Sequence, residues 1–368
     1  MRALGVDPGT GNFDILCIED DVDHVVLDET IPSSTVAEKP QEVVELVLSA
    51  RPDIVVGPSG YGLSFKKLSE IDEKDLALTT LERRSDYGAP VLSGVRSMLR
   101  MLREKNVNGC TLPGVIQLPT VPIHRKFNKI DMGTADKTCV TAYAVWDQSR
   151  VHGVRYDETC LICVEMGLGY NAAMAVENGK IVDGVGGTIF PGPGYLSIGL
   201  MDGELAYLLN GFSKKTLFEG GVSWIATGSK VEVEKFAAGL STSYADAFRC
   251  FVEGVGKAVA MLAAVMDKTP REVILTGRLS RVESIREAVA SWLQRRLGFK
   301  ARRPLNVFAK RAKDVAMGAA LIANGLGGGK YSELVENLEI RRARGSVLDY
   351  VRLSGFEVEK IIGELRSD

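Results

Sequence analysis

The chain predicts an α/β protein built from two copies of one mixed-sheet unit, and three observations carry that reading. Leu4-Gly5-Val6-Asp7 is an apolar run that ends in an acid and turns through Pro8-Gly9-Thr10-Gly11 into a second apolar run, Phe13 to Ile18. Cys160 to Glu165 repeats the arrangement, again apolar and again ending in an acid, followed by Met166-Gly167-Leu168-Gly169. The alternation of strand-like and helix-like stretches after each turn is the same, β-β-β-α-β-α-β.

The bulk properties set limits. A chain of 368 residues is too long for one ordinary core, so two domains are expected. Hydrophobic residues at 45% with 25% charged residues match a soluble globular protein. A net charge of -2 gives no basic field for nucleic acid. No apolar run reaches the ~18 residues that a membrane span needs. The first strand begins at once and leaves no room for a signal peptide, so the expectation is a cytoplasmic protein. Of the six cysteines only Cys160 and Cys163 are neighbours. Inside a strand, residues three apart point to opposite faces, so these two read as buried thiols rather than a redox or zinc pair.

In order along the chain, residues 2–7, 13–19 and 23–31 read as three short strands with tight connections. An amphipathic helix follows near 38–50, with Val43, Leu46 and Val47 inward. Asp53 to Pro58 is a short buried strand with a Gly-Pro stop, 65–84 a charged helix and 92–105 a basic amphipathic one. Val115-Ile116-Gln117-Leu118 reads as another buried strand. In the second half, strands are expected at 160–165, 171–176 and 180–182, then an insertion, 186–240. A helix near 242–267, a strand at Glu272 to Thr276, a helix at 282–296 and a strand at Leu305 to Phe308 complete the repeat. The expected division is 1–142, 143–330, and a tail of amphipathic pieces over 331–368. That tail packs back on a domain or contributes to a homodimer. Gly325 to Gly329 reads as a helix cap and linker, because the P-loop spacing G-x-x-x-x-G-K-[ST] is absent.

The two turns carry the functional reading. Gly9, Thr10, Gly11 and Asn12 in the first, and Gly167, Gly169 and Asn171 in the second, offer backbone N–H groups to an anion. Phosphate is the natural occupant. The acids at the strand ends, Asp7 and Glu165, suit a Mg²⁺ ion held through its water shell.

With both loops in view, the chain resembles the acetate and sugar kinase/heat-shock chaperone/actin superfamily. LGVDPGTGN is similar to its first phosphate loop, VEMGLGYN to its second, and VILTGRL to its adenosine motif, placing Thr276, Gly277 and Arg278 beside the nucleoside. The resemblance implies two ribonuclease H-like (actin-like ATPase) domains, each a mixed five-stranded sheet with flanking helices, plus a helical C-terminal tail. It implies ATP and Mg²⁺ as cofactors. Within the superfamily the chain resembles acetate and butyrate kinases, and an archaeal family provisionally called predicted butyrate kinases, through Asn128 to Lys137 and Asp183 to Glu204. That likeness implies that Asp131 lies near the γ-phosphate and aligns the acceptor.

The chain also departs from acetate kinases. Glu165 stands where they have a histidine, and Leu200-Met201-Asp202-Gly203-Glu204 lacks their arginine. Loss of such a cation costs on the order of 10³-fold unless another replaces it. Arg125, Lys126, Lys129 and Lys137 are the nearest candidates in sequence. Gly60 and Tyr61, after a central strand, and Gly187 and Thr188, in a glycine-rich stretch, are expected with Arg125 at the substrate. Asp136 reads as a helix cap, and Arg83, Arg84 and Arg96 as solvated faces. The expected function is an ATP-dependent phosphotransferase acting on a small molecule, a short-chain carboxylate first and a hydroxyl second. The alternative is a nucleotide-driven switch acting on a protein partner.

Overall fold

A computed structural model describes residues 1–86, 90–229, 231–238 and 243–367. Positions 230, 239 and 240 of the expected insertion, the first residue of the helix expected from 242, and residue 368 of the tail lie outside the described residues.

Each half begins with a meander because its alternating apolar strands are joined by turns too short for anything but antiparallel pairing. In the first, β1 (Arg2–Pro8), β2 (Asn12–Glu19) and β3 (Asp21–Pro32) pair antiparallel, with Asp7 opposite Asp14. Helices α1 (Ser33–Glu38), α2 (Pro40–Ser49), α3 (Glu73–Thr80) and α4 (Pro90–Glu104) then alternate with β4 (Ile54–Val56), β5 (Lys66–Lys67) and β6 (Gly109–Thr111). The sheet order is β3-β2-β1-β4-β6-β5, with β4 parallel to both β1 and β6. A short turn of helix, α5 (Ile123–Lys126), leads to α6 (Ala135–His152).

The second half repeats the plan with β7 (Cys160–Met166), β8 (Asn171–Glu177) and β9 (Lys180–Val185), then α7 (Gly203–Leu208), α8 (Val222–Thr227), α9 (Val233–Ala237) and α10 (Ala245–Ala263). Strand β10 (Glu272–Thr276), α11 (Glu283–Leu297), β11 (Ala301–Arg302) and α12 (Asp314–Leu326) follow, giving the order β11-β10-β7-β8-β9. After α12 come α13 (Ser332–Asn337) and α14 (Val358–Glu364).

Two expectations about strands are corrected. Residues 115–118 form a buried 3₁₀ turn, and the strand lies earlier at Gly109–Thr111. Among the described residues, 305–308 join no sheet; Ala301–Arg302 pairs with β10 in their place. The first sheet accordingly has six strands rather than five, because Lys66–Lys67 pairs antiparallel with β6 where a helix was expected. The tail is only partly helical. Tyr331, Leu334, Leu338 and Leu348 are buried in the same core as β1 and β2, so it is part of the body.

The layers explain how the two sheets are held. One apolar core packs α1, α2 and α4 on the outer face of the first sheet, and another packs α10 and α11 on the outer face of the second. The third core is shared: α6 and α12 lie between the inner faces of both sheets. Helix α12 is buried along its whole length, and small residues let it approach both neighbours. A Cβ on Gly5 of β1 would stand 2.5 Å from Ala319 Cβ, and one on Gly318 would stand 2.5 Å from the carbonyl carbon of Cys139 on α6. The cysteines are free thiols, and burial pushes Cys163 up to about 12.

Gly5→Val and Gly318→Ala are therefore expected to cost about 1–3 kcal/mol each through overpacking. Gly203→Ala, where a Cβ meets nothing within 4 Å, should stay within about 0.5 kcal/mol. Urea denaturation midpoints of the three variants check the difference.

Candidate functional site

The two acid-to-glycine turns share their spacing and one close approach, while the glycine N–H bonds a different carbonyl in each. In the first, Gly9 N–H donates to Asp7 O, and a Cβ on Gly9 would come 2.7 Å from Asn12 O. In the second, Gly167 N–H donates to Tyr170 O, and a Cβ on Gly167 would come 2.5 Å from that oxygen. Acid, glycine and carbonyl thus recur at the same offsets: Asp7, Gly9, Asn12 and Glu165, Gly167, Tyr170. The turns touch each other. A Cβ on Gly169 would stand 3.1 Å from Thr10 Cβ, and one on Gly11 3.0 Å from Leu168 Cδ2. Together they floor one cleft between the halves.

Carboxylates and lysines crowd that floor. Asp7 and Glu165, at the ends of β1 and β7, are 5% and 8% exposed. Asp136, in the first turn of α6, faces the same cleft, bonded to the Thr134 hydroxyl and to Lys137. It satisfies no helix N–H, which corrects the expectation of a cap; among the described residues the N-cap Thr134 provides no side-chain bond either. Lys137 Nζ also lies 2.8 Å from Glu165 Oε2, off the line of a hydrogen bond, so that buried oxygen keeps an unused acceptor site. Lys313 reaches the cleft from the residue before α12 and pairs with the fully buried Asp14.

Burial is the main cause of the shifts here. Desolvation holds the Asp7 carboxyl well above the usual range, Lys313 opposes it, and Asp14, Asp136 and Glu165 add to it. Glu165 is raised by desolvation too, against the pull of Lys137. The Lys137 ammonium stays charged, because Asp136 and Glu165 outweigh its own desolvation.

A second set of contacts joins the halves above the floor. Asp131 accepts from Gly133 N at 3.1 Å, Thr188 N at 3.0 Å and Thr188 Oγ1 at 3.1 Å, while Gly186 N–H donates to its carbonyl. Its carboxylate faces the cleft already supplied with donors. Gly187 lies against the Tyr170 ring, where a Cβ would fall 2.7 Å from ring carbon Cγ. Gly60 and Tyr61 line the cleft from the first half.

Several expected residues sit elsewhere. Arg125 does not reach the cleft: its guanidinium donates to Val182 O at 2.9 Å and Val265 O at 2.7 Å, carbonyls that hold it on the outside of the second half. This corrects its placement at the substrate. Lys126 is spent on Leu118 O, and burial lowers it to about 8; Lys129 is spent on Arg125 O. Of the four candidate cations, only Lys137 enters the cleft. Thr276 is fully buried and donates to Val164 O at 3.2 Å. Gly277, at φ +80°, turns the chain so closely past Met166 O that a Cβ would stand 2.6 Å away, and its N–H donates to Asp314. Arg278 next to it lines the cleft. Asn171 is buried beneath the second loop, and neither polar atom of its amide finds a partner among the described residues. Arg96 is no solvated face: it is 2% exposed and pairs with Glu82 at 2.7 Å.

Sequence reasoning missed Lys313, Lys214 and Phe218, all lining the cleft. Lys313 immediately precedes Asp314 at the start of α12, and the Asp314 carboxylate accepts from Gly277 N in the third motif. Lys214 and Phe218 lie in the insertion, where no motif marks them.

A family model described as Protein of unknown function (DUF1464) matches residues 5–353. The chain belongs to the DUF1464 family. No curated protein matches it. Among solved structures, this DUF1464 member is similar to a propionate kinase from Francisella tularensis subsp. tularensis SCHU S4, with TM-score 0.60 and 15% identity over 86% of this chain and 98% of that one. It is similar to the acetate kinase from Entamoeba histolytica, with TM-score 0.58 and 12% identity over 80% and 86%. The Porphyromonas gingivalis acetate kinase matches at TM-score 0.56 and 15% identity over 79% and 86%. At these identities the likeness is one of fold: the two-domain actin-like ATPase architecture. Among the described residues no helix is long and apolar enough to cross a membrane.

The raised Asp7 carboxyl has a stability consequence. The folded state keeps this proton where the unfolded chain, titrating near ~4, has lost it. Its contribution to stability therefore falls as pH rises from about 4 toward the folded value. Asp7→Asn is expected to melt above wild type at pH 7–8, the gap closing below about pH 4. Thermal melts across that range check this; equal or lower melting at pH 8 would contradict it.

Proposed function

We propose that this protein is an ATP- and Mg²⁺-dependent phosphotransferase acting on a small-molecule acceptor. One observation carries the reading: two acid–glycine turns of the same spacing meet at the floor of one cleft, Thr10 against Gly169. Each half thus offers backbone N–H groups toward one polyphosphate, and the turns are too close to serve two separate ligands.

The residues fit a divalent cation. The Asp7 carboxylate accepts no hydrogen bond among the described residues, Glu165 has no partner there beyond its ion pair with Lys137, and both carboxylates are raised by burial. Few carboxylates and room for water and phosphate are what Mg²⁺ takes. Asp7 and Glu165 would hold it through its waters, and the ion would supply charge neutralisation for phosphoryl transfer. In the reaction an acceptor oxygen attacks the γ-phosphorus, and the bond from that phosphorus to the β–γ bridging oxygen breaks, leaving ADP. A carboxylate acceptor is ionised at neutral pH and needs no base. A hydroxyl acceptor would lose its proton to a cleft carboxylate, Asp131 or Asp136. Lys137, fixed between Asp136 and Glu165, takes the part of the cation missing from the 200–204 segment. Gly9, Thr10, Gly11, Asn12, Gly167 and Gly169 would bind the phosphates, and Arg278 the nucleoside side. A carboxylate acceptor ranks first, on the fold shared with acetate and propionate kinases, and a hydroxyl second.

Incubation with γ-labelled ATP, Mg²⁺, hydroxylamine and a panel of short-chain carboxylates, with a parallel hydroxyl panel, tests the reading. Acceptor-dependent ADP with a trapped acyl hydroxamate, or a labelled phosphate ester, is expected. Slow hydrolysis indifferent to every acceptor would instead favour a nucleotide-driven switch. Lys137→Met is expected to lower kcat on the order of 10³-fold with a smaller change in KM, measured by steady-state ADP release.

A further inference from the structure

We propose that Lys214 is the residue that reads the acceptor, by pairing with a negatively charged group on it. This rests on the phosphotransferase reading above. Lys214 opens a short 3₁₀ segment, Lys214–Phe218, in the insertion of the second half, yet its ammonium lies against the first half. Nζ is 3.1 Å from Tyr61 Oη, 3.4 Å from Leu81 O and 4.6 Å from the Tyr61 ring centroid. Its backbone N–H donates to Asp86 Oδ2 at 3.2 Å. The other end of the segment is fixed beside the second loop: the Tyr170 hydroxyl donates to Leu217 O at 2.9 Å, and Phe218 packs edge-on to the Tyr170 ring at 5.1 Å. The ammonium is thus held by the first half, and the segment that carries it is anchored on the second.

Its charge is what lacks a counterpart. The two other cleft lysines are each neutralised, Lys137 by Asp136 and Glu165 and Lys313 by Asp14. Lys214 forms no ion pair among the described residues, although it is partly buried and shares the cleft with the apolar side chains Val91, Leu92 and Val95 of α4. An ammonium has three donors, and the two oxygen contacts engage two of them. A half-desolvated cation beside apolar walls is costly until an anion joins it. The phosphates would take the glycine turns, so the remaining donor of Lys214 is left for the acceptor. Apolar walls beside one cation suit a small organic anion with an apolar body: a monocarboxylate of a few carbons.

The test uses the full chain with Mg²⁺ and a non-hydrolysable ATP analogue, and ligand-observed NMR titration of butyrate against butyramide, and of valerate against valeramide. Wild type is expected to bind each carboxylate about tenfold or more tighter than its neutral amide. Lys214→Gln should erase that preference and Lys214→Arg should keep part of it. Carboxylates bound no better than amides by wild type, or a preference that survives in Lys214→Gln, would overturn the assignment. The melting shift produced by Mg²⁺ with the analogue is read in the same samples. A wild-type shift without carboxylate preference sinks only the role of Lys214, whereas no wild-type shift sinks the phosphotransferase reading itself. Restored preference in Lys214→Arg rules out general disruption as the cause of loss in Lys214→Gln.

Discussion

The close passage of α12 between β1 and α6 is the constraint from which the rest of the molecule follows. Glycine at position 5 removes the side chain that would hold the helix off the first sheet, and glycine at 318 does the same toward α6. With both gaps closed, α6 and α12 form one layer that the inner faces of both sheets share. A shared layer fixes where each first strand ends. The ends of β1 and β7 therefore deliver their acids and glycine turns to one place, and the cleft exists because the helices behind it are thin enough.

That convergence concentrates charge. Asp7, Asp136 and Glu165 face a cleft floor with Lys137 and Lys313, and burial raises both strand-end carboxyls. In a structural core such a group would be replaced by apolar packing, since buried ions seldom improve stability. Here the unfavourable desolvation is confined to the surface where phosphates and a metal would offset it. Asp131 differs: three donors already surround its carboxylate, and its bonds to Thr188 tie the two halves together as much as they aim at a ligand.

Much of this was legible in the residues. The two meanders, the acid–glycine turns and their duplication could be read because alternation and turn chemistry act locally. What escaped depended on tertiary context. Val115 to Leu118 is apolar enough for a central strand, but Gly133 O and the Gln117 side chain draw it into a turn, leaving the modest Gly109-Cys110-Thr111 to continue the sheet. Arg96 reads as solvated on a basic helix until Glu82, from outside that helix, meets it in the interior. Arg125 looked like a cleft cation by proximity in sequence, yet carbonyls of β9 and of the turn after α10 hold it away. Lys214 had no local signature at all, since its setting comes from Tyr61 and Leu81 more than a hundred positions earlier.

The placement of α12 and the segment after it also bears on how the polypeptide is made. The inner face of the first sheet is covered by residues 314–326, and Tyr331 bonds Asp21 across nearly the whole sequence. Further on, Arg366 N–H donates to Glu82 O, stitching the final turns to the helices beside the cleft. A ribosome therefore extrudes the first lobe long before its cover exists. Until residues 314–326 have been made, the apolar inner face of the first sheet lacks the helix that covers it.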